Sequence, residues 1–208
     1  MSGLLLRNIA AQLIVDGEVV QEEFGEFSFS PHRIDGAVVL RMSRRAVDAL
    51  IDEKNVKISL DLKPALDEPT IIARLEREMA EAEQELTIGE LLRKVLPREL
   101  VIPVAKAAGL ISKHSSRELR EDKMHRVVEA MKRFVLPISD YRPFEEAIVT
   151  AGGVSLDEIW PDTMESKLVG GLYFAGEVMD IDADTGGYNL QMAFSTGYLA
   201  GQLRKHVE

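Results

Sequence analysis

Apolar and polar side chains alternate along much of the first sixty residues, and this period of two is typical of strands. Ile9–Val15 alternates and leads into Asp16-Gly17, a dipeptide suited to the positive φ angles of a type I′ turn. Val19–Phe24 would then return antiparallel, and Asn55–Leu62 alternates in the same way. We expect Gly36–Ala49 to form a helix between these strands. The pattern predicts a small, largely antiparallel sheet.

The spacing of apolar residues becomes helical after Pro64. Glu68-Pro69 is suited to a helix start, because proline fits the first turn. Two later stretches, Thr87–Glu90 and Ser115–Glu118, have the sequence of a capping box, in which a hydroxyl and a carboxylate bind free amides at a helix start. We expect about four helices between Pro69 and Phe134.

Strand patterns return in the last third of the chain, near Val135 and at Pro143–Thr150. The short apolar run Gly171–Ala175 is typical of a buried strand. Gly186-Gly187 then precedes a last helix, predicted from Tyr188 to about His206. The chain is therefore predicted to be α+β, with a mostly antiparallel or barrel-like β domain at 1–62 and 135–149, a helical subdomain at 66–133, and a third part at 150–208.

Composition narrows the classes of function. The formal net charge is −10 and basic residues form no block, which argues against a nucleic-acid partner. The chain has no cysteine, which excludes disulfides and thiolate metal ligands. The apolar start of the chain is interrupted by Arg7 and ends at Asp16, so it predicts neither a signal peptide nor a membrane span. We expect a cytoplasmic protein.

The candidate chemistry lies between Gly152 and Gly201. A glycine pair lets backbone amides approach a ligand, and a helix start adds unpaired N–H donors with about half a positive charge. Gly186-Gly187 before the last helix therefore suits the electron-rich edge of a ligand. Glu177 follows the predicted strand and suits sugar-type hydroxyls, because an ionised carboxylate only accepts hydrogen bonds. Along the last helix, Ala193, Gly197 and Gly201 place small residues on one face.

This region also resembles a known family. The stretch AGGVSLDEIWPDTMESKLVGGLYFAGEVMDIDADTGGYNLQMAFSTGYLAG is similar to the carboxyl-terminal signature of the BaiN/YhiN-like flavoproteins, which are NAD(P)/FAD-dependent oxidoreductases. Upstream, GLLLRNIAAQLIVDGEVVQEEFGEFSFS resembles the start of that family's inserted domain. The resemblance implies that residues 150–208 are the returning carboxyl-terminal part of an FAD-binding α/β domain, with NAD(P)H as a candidate electron donor and a small molecule as substrate.

The same resemblance implies roles for individual residues. Gly176 and Glu177 would meet the ribityl and pyrophosphate portion of FAD. The start of the last helix would face the N1/C2 carbonyl edge of the flavin, and the chain entering this region would line the approach. The residues implied are Thr150, Gly152 and Gly153 for the approach, and Gly186, Gly187, Tyr188, Asn189 and Leu190 for the helix start. No residue is assigned as a catalytic acid or base.

The sequence departs from the family in two places. It has no GxGxxG turn for the FAD pyrophosphate, so we expect an excised domain, a truncated gene product or one subunit of a split enzyme. The family's inserted domain has a threonine-histidine-rich turn leading to Ser-Gly-Pro, and this place reads Ser30–Ala37 here, so the substrate contacts of that turn are not carried over. We therefore expect weak or absent FAD binding by the chain alone, a separate nucleotide-binding half as partner, and self-association without it. The alternative function is a non-catalytic assembly module that binds such a half.

Other candidate sites are weaker. Asp180, Asp182 and Asp184 have the spacing of a calcium loop, but Thr185 stands where the loop needs glycine and Gln191 where it needs glutamate. Among the histidines, only His32 lies in a loop that could face a substrate, and no pair of them has metal-ligand spacing, so no metal site is expected. Trp160 and Tyr173 are interpreted as packing residues rather than residues that stack on a flavin.

Overall fold

The structure is a computed structural model that describes residues 1–205. The chain divides into two compact units, Met1–Asp140 and Tyr141–Glu208. His206, the expected end of the last helix, lies outside the described residues. The three-part division expected from the sequence stays a prediction.

The first unit contains a five-stranded sheet in the order β3-β2-β1-β4-β5. Its strands are β1 Leu5–Val15, β2 Glu18–Ser30, β3 Arg33–Asp35, β4 Val56–Asp61 and β5 Phe134–Ile138. Every neighbouring pair is antiparallel, as the alternating sequence predicted. Asp16 and Gly17, between β1 and β2, have φ angles of 50° and 93°, which confirms positive φ at both turn positions.

Helix α1, Ala37–Ile51, packs one apolar face on the sheet. Its buried residues, Val38, Met42, Ala46 and Ala49, follow helical spacing. The helix follows Gly36, which has a φ of 108°. A Cβ at Gly36 would lie 2.8 Å from the carbonyl oxygen of Glu26, so only glycine allows the backbone to approach β2 this closely.

Four helices lie between β4 and β5, and they confirm the helical pattern after Pro64: α2 Glu68–Ala80, α3 Ile88–Arg93, α4 Arg98–Ala107 and α5 Glu121–Lys132. Asp67 caps α2 by accepting a hydrogen bond from the amide of Thr70. The capping box at Thr87 and Glu90 is formed at the start of α3. The hydrogen bond from the Thr87 amide lowers the pKa of the Glu90 carboxyl, because it stabilises the charged form.

The second predicted capping box does not form. The hydroxyl of Ser115 accepts a hydrogen bond from the amide of Arg117 and donates one to Glu85. The carboxylate of Glu118 instead contacts Lys123 and His114. Only a single 3₁₀ turn, Ser116–Glu118, results, because the partners that a capping box needs are used by other groups.

Lys132, at the end of α5, ties this helix to the end of β4. Its Nζ lies 2.5 Å from Asp61 Oδ2 and donates to the carbonyls of Lys63 and Leu66. Both charged side chains are largely buried, with 16% and 21% of their surface exposed. One ammonium group therefore stabilises the chain where the sheet passes into the helices.

The second unit has one long helix, α6 Tyr188–Gly201, and no strand among its described residues, 141–205. The strand predicted at Pro143–Thr150 is wrong. Phe144 and Ile148 there are 73% and 75% exposed, and no described strand lies beside them to bury one face. The buried strand predicted at Gly171–Ala175 is also wrong, because that segment makes one bridge, Glu165 with Tyr173, and stays half-buried or exposed.

We predict that Lys132→Met lowers the free energy of unfolding of the first unit by about 2 kcal/mol, because it leaves the Asp61 carboxylate largely buried without its ammonium partner. Urea unfolding followed by far-ultraviolet circular dichroism measures this, since most of the helices lie in the first unit. The matched control is Arg133→Met, which removes the exposed pair with Glu129 and should cost less than about 0.5 kcal/mol. Equal effects of the two variants would contradict the prediction.

Candidate functional site

The second unit is built on a small apolar cluster of Ile159, Met164 and Met179. Phe174, Met192 and Leu199 pack against this cluster, so it joins the loop segments to one face of α6. The predicted flavin-site residues lie on the turns and the helix end that this cluster supports. The site is therefore made of loops held by few buried side chains.

Gly153 marks the closest backbone approach in this unit. It has a φ of 145°, and a Cβ there would lie 2.5 Å from the carbonyl oxygen of Val178. Next to it, the amide of Val154 donates to Val178 at 2.9 Å, and the amide of Asp180 donates to the Val154 carbonyl at 2.9 Å. The chain after Gly153 therefore lies beside Val178–Asp180 in a short parallel pairing that a side chain would block.

Gly152 and Thr150 precede this pairing. The amide of Gly152 donates to Oδ1 of Asp180 at 3.0 Å, so this amide is used within the protein. Thr150 is exposed. Asp180 is the first aspartate of the loop 180–185, which we call the acidic loop. Its hydrogen bond fixes the segment that enters the site.

The turn at Gly176 and Glu177 rests against α6. Gly176 has a φ of 72°, and its amide donates to Oγ1 of Thr196 at 3.0 Å. Thr196 in turn donates to the carbonyl of Met192 one helical turn earlier, at 2.8 Å. Ala193 lies beside the turn, and its Cβ is at ordinary van der Waals distance, 3.7 Å, from where a Cβ of Gly176 would be. Glu177 is exposed at the tip of the turn.

The start of α6 presents free backbone donors. Gly187 is the residue before the helix, with a φ of 92°, and its carbonyl accepts the first helical hydrogen bond, from Gln191. No side chain among residues 1–205 caps this helix end. Within the same residues, the amides of Tyr188, Asn189 and Leu190 have no hydrogen-bond partner. The helix end therefore offers three N–H groups and a partial positive charge to a ligand.

Asn189 has a structural role that the sequence reasoning missed. Its side-chain oxygen accepts from the amide of Ala183 at 2.8 Å, and its side-chain nitrogen donates to the Ala183 carbonyl at 2.9 Å. This double hydrogen bond holds the acidic loop against the first turn of α6. The available signal was the residue type, because only an amide side chain can both donate to and accept from one backbone residue in this way.

The outward face of α6 is apolar and uncovered in the described part of the chain. Its large exposed residues, each between 61% and 72% exposed, are Tyr188, Leu190, Phe194 and Tyr198. Gly197 and Gly201 have open space where a Cβ would stand, whereas Ala193 faces Gly176. The predicted row of small residues is thus divided between the packed side and the open side of the helix.

The remaining candidates have local contacts. Lys167 Nζ lies 4.9 Å from the centroid of the Trp160 ring, and the Tyr173 hydroxyl donates to the carbonyl of Arg204. Desolvation, with a smaller contribution from the charge of Glu165, raises the pKa of Tyr173. No three histidine, aspartate or glutamate side chains among residues 1–205 converge on a metal position. His32 is exposed on the turn between β2 and β3, with a φ of 62°.

Together the two units define a mixed α/β protein with an antiparallel sheet and six α-helices among its described residues. Residues 39–203 match the HI0933-like protein Rossmann domain, and the chain therefore belongs to this family. The family membership indicated by the carboxyl-terminal motif is confirmed.

Three relatives illustrate the similarity. A 3-dehydro-bile acid delta(4,6)-reductase of Clostridium scindens is 31% identical over 185 residues, covering 89% of this chain and 45% of that protein. Ribosomal RNA dihydrouridine synthase of Escherichia coli is 30% identical over 145 residues, covering 70% of this chain and 35% of that protein. The Haemophilus influenzae synthase is 27% identical over 178 residues, covering 84% of this chain and 41% of that protein. The chain spans less than half the length of each. Among its described residues, no helix is both long and apolar enough to cross a membrane.

We predict that Gly153→Ala lowers the stability of the second unit by about 3 kcal/mol, because its Cβ would overlap the Val178 carbonyl and its backbone has positive φ. Gly152→Ala is the matched control. Gly152 also has positive φ, 99°, but open space around its Cβ position, so this variant should cost only about 1 kcal/mol.

Fluorescence of Trp160, the single tryptophan of the chain, reports on this unit during urea unfolding. Equal destabilisation by the two alanine variants would mean that the close approach of Gly153 to Val178 does not exist in solution.

Proposed function

We propose that this chain is the carboxyl-terminal part of an FAD-dependent oxidoreductase and supplies the ribityl and isoalloxazine side of its flavin site. The observation that carries the proposal is the uncapped start of α6, where three backbone amides without partners follow the Gly186-Gly187 pair in a member of the HI0933-like family. The first unit would be the inserted domain on the substrate side.

The residues at the helix start fit the negative edge of a flavin. Free N–H groups and the positive end of the α6 dipole favour a ligand edge that gains negative charge. Gly186 and Gly187 leave that approach open, since no atom of the described part of the chain lies within 4 Å of a Cβ position at Gly187. The double hydrogen bond between the Asn189 side chain and the Ala183 backbone would keep these amides in position before a ligand binds.

The Gly176-Glu177 turn suits the sugar-like part of the cofactor. The exposed carboxylate of Glu177 can accept hydrogen bonds from ribityl hydroxyls. Thr196 of α6 accepts a hydrogen bond from the Gly176 amide, so the turn with the Glu177 carboxylate is fixed to the same helix whose start offers the free amides. When bound, FAD supplies the electron transfer, and the protein orients it and excludes competing reactions.

We further propose that the complete protein adds hydrogen across a carbon–carbon double bond of a small molecule, with NAD(P)H as electron donor. The names of the relatives, a delta(4,6)-reductase and a dihydrouridine synthase, support this reaction class. The net charge of −10 favours a small molecule over ribosomal RNA as substrate. Reoxidation of the reduced protein by a conjugated 3-keto-4,6-diene, and not by a uridine-containing RNA, is the expected result. The reverse preference would overturn the substrate class.

A second candidate function is an assembly module that binds a separately encoded nucleotide-binding half. The exposed apolar face of α6, with Leu190, Phe194 and Tyr198, favours it, because such a face is normally covered by a partner. A cytoplasmic location and self-association in the absence of a partner also remain predictions. The two candidates differ in whether the assembled protein retains flavin.

We predict that the 208-residue chain alone binds FAD weakly or not at all. The sequence has no glycine-rich turn for the pyrophosphate, and losing two charge-assisted hydrogen bonds would lower affinity by about two to four orders of magnitude. Retained flavin and solution mass after purification with added FAD measure this. A colourless oligomer is expected, whereas a monomer with stoichiometric FAD would overturn the prediction.

We also predict that Gly187→Val in the complete protein lowers flavin occupancy at least about tenfold, because valine strongly disfavours a φ near 92° and its side chain would fill the approach to the amides. Ser195→Val is the control, since it places the same side chain at an exposed position of α6. Flavin absorbance per protein after gel filtration gives the occupancy. Unchanged occupancy in the Gly187 variant would remove the helix start from the flavin site.

A further inference from the structure

A groove in the first unit has features of a ligand site that the proposed flavin chemistry does not use. Its volume is about 690 Å³, and it lies between the start of β1, the chain after β4 and the start of α4. Buried leucines form its floor, including Leu6, Leu62 and Leu100. Phe24, which is 60% exposed, forms an apolar wall. The groove therefore offers an apolar surface that water can reach.

An irregularity in the sheet directs two polar residues to this groove. In the pairing of β1 with β2, Leu6 lies opposite Phe27 and Ile9 opposite Gly25, so Arg7 and Asn8 face a single residue of β2. Such a bulge leaves side chains out of the regular ladder and is common beside functional sites. Arg7 and Asn8 both line the groove and are exposed.

The charges at the groove have one sign. Arg7 and Lys63 are its cations, and no aspartate or glutamate of residues 1–205 lines it. Neither cation forms an ion pair or a side-chain hydrogen bond within residues 1–205, although acidic residues outnumber basic ones in the chain, 35 to 25. Burial and, after it, the nearby charge of Arg74 lower the pKa of Lys63, because both disfavour the charged ammonium. An anion in the groove would supply the missing partner.

We propose that this groove binds a small amphipathic anion, whose apolar body lies on the leucine floor and Phe24 while its carboxylate meets Arg7 and Lys63. Asn8, whose side chain forms no other hydrogen bond among the described residues, can donate to the same carboxylate. Charge complementarity selects this occupant, because two unpaired cations beside an apolar floor match a ligand with one anionic end and one apolar end.

The test uses decanoate and its uncharged analogue decanamide, titrated into the 208-residue chain below their aggregation concentrations by calorimetry. Decanoate should bind more tightly than decanamide, and added salt should weaken decanoate binding only. Amide chemical shifts should change around Arg7, Phe24 and Lys63. Equal affinity for the two ligands, or shift changes confined to the second unit, would overturn the proposal.

Variants separate the two parts of the site. Arg7→Met combined with Lys63→Met should weaken decanoate binding about tenfold and leave decanamide unchanged. Phe24→Ala should weaken both ligands by a similar factor, because it removes apolar surface without removing charge. Lys113→Met, which removes one charge from an exposed position outside the groove, is the control and should change neither.

An anionic lipid membrane also offers negative charge beside apolar chains, so it is the competing ligand for this groove. The wild-type chain should not sediment with vesicles that contain phosphatidylglycerol. Sedimentation that depends on Arg7 and Lys63 would replace the free ligand with a membrane and overturn the proposal.

Discussion

The close approach of Gly153 to the carbonyl of Val178 is the constraint on which the second unit depends. Without a side chain at this position, Val154 can pair with Val178 and Asp180, and Met179 can enter the small apolar cluster. That cluster supports one face of α6 and thereby the turn at Gly176. Among residues 141–205 this cluster has three buried side chains, which is little packing to hold the loops, so backbone contacts stabilise much of the arrangement.

The first unit is held in a different way. Its core is a continuous apolar cluster shared by the sheet and the helices, and Lys132 fixes the point where β4 gives way to α2. A large core tolerates irregular features at its edge, and the bulge at Arg7 and Asn8 is one of them. The proposed anion groove therefore lies in the unit with the large buried core, whereas the proposed flavin contacts come from loops and a helix end.

The flavin proposal and the exposed face of α6 agree on one physical point. The start of α6 has amides that a cofactor can bind. Its outer face exposes Leu190, Phe194 and Tyr198, which further protein can cover. The chain spans 45% or less of the length of these three relatives, and they have further sequence that could provide such partners. These amides and this apolar surface lie on one helix, which favours a flavin site formed jointly by this chain and further protein.

The sequence by itself determined the local features that depend on neighbouring residues. Alternation along Ile9–Val15, the Asp16-Gly17 turn, the capping box at Thr87 and the family motif could each be read directly, because strand period, turn chemistry and helix caps are short-range. Tertiary structure decided what depends on distant partners. Gly171–Ala175 has the composition of a buried strand, but among residues 1–205 it makes only one bridge. The Ser115 hydroxyl donates to Glu85 and accepts from the amide of Arg117, and the Asn189 side chain binds the backbone of Ala183. Sheet pairing and side-chain hydrogen bonds are settled by which groups meet in space, and that information is absent from any short stretch of sequence.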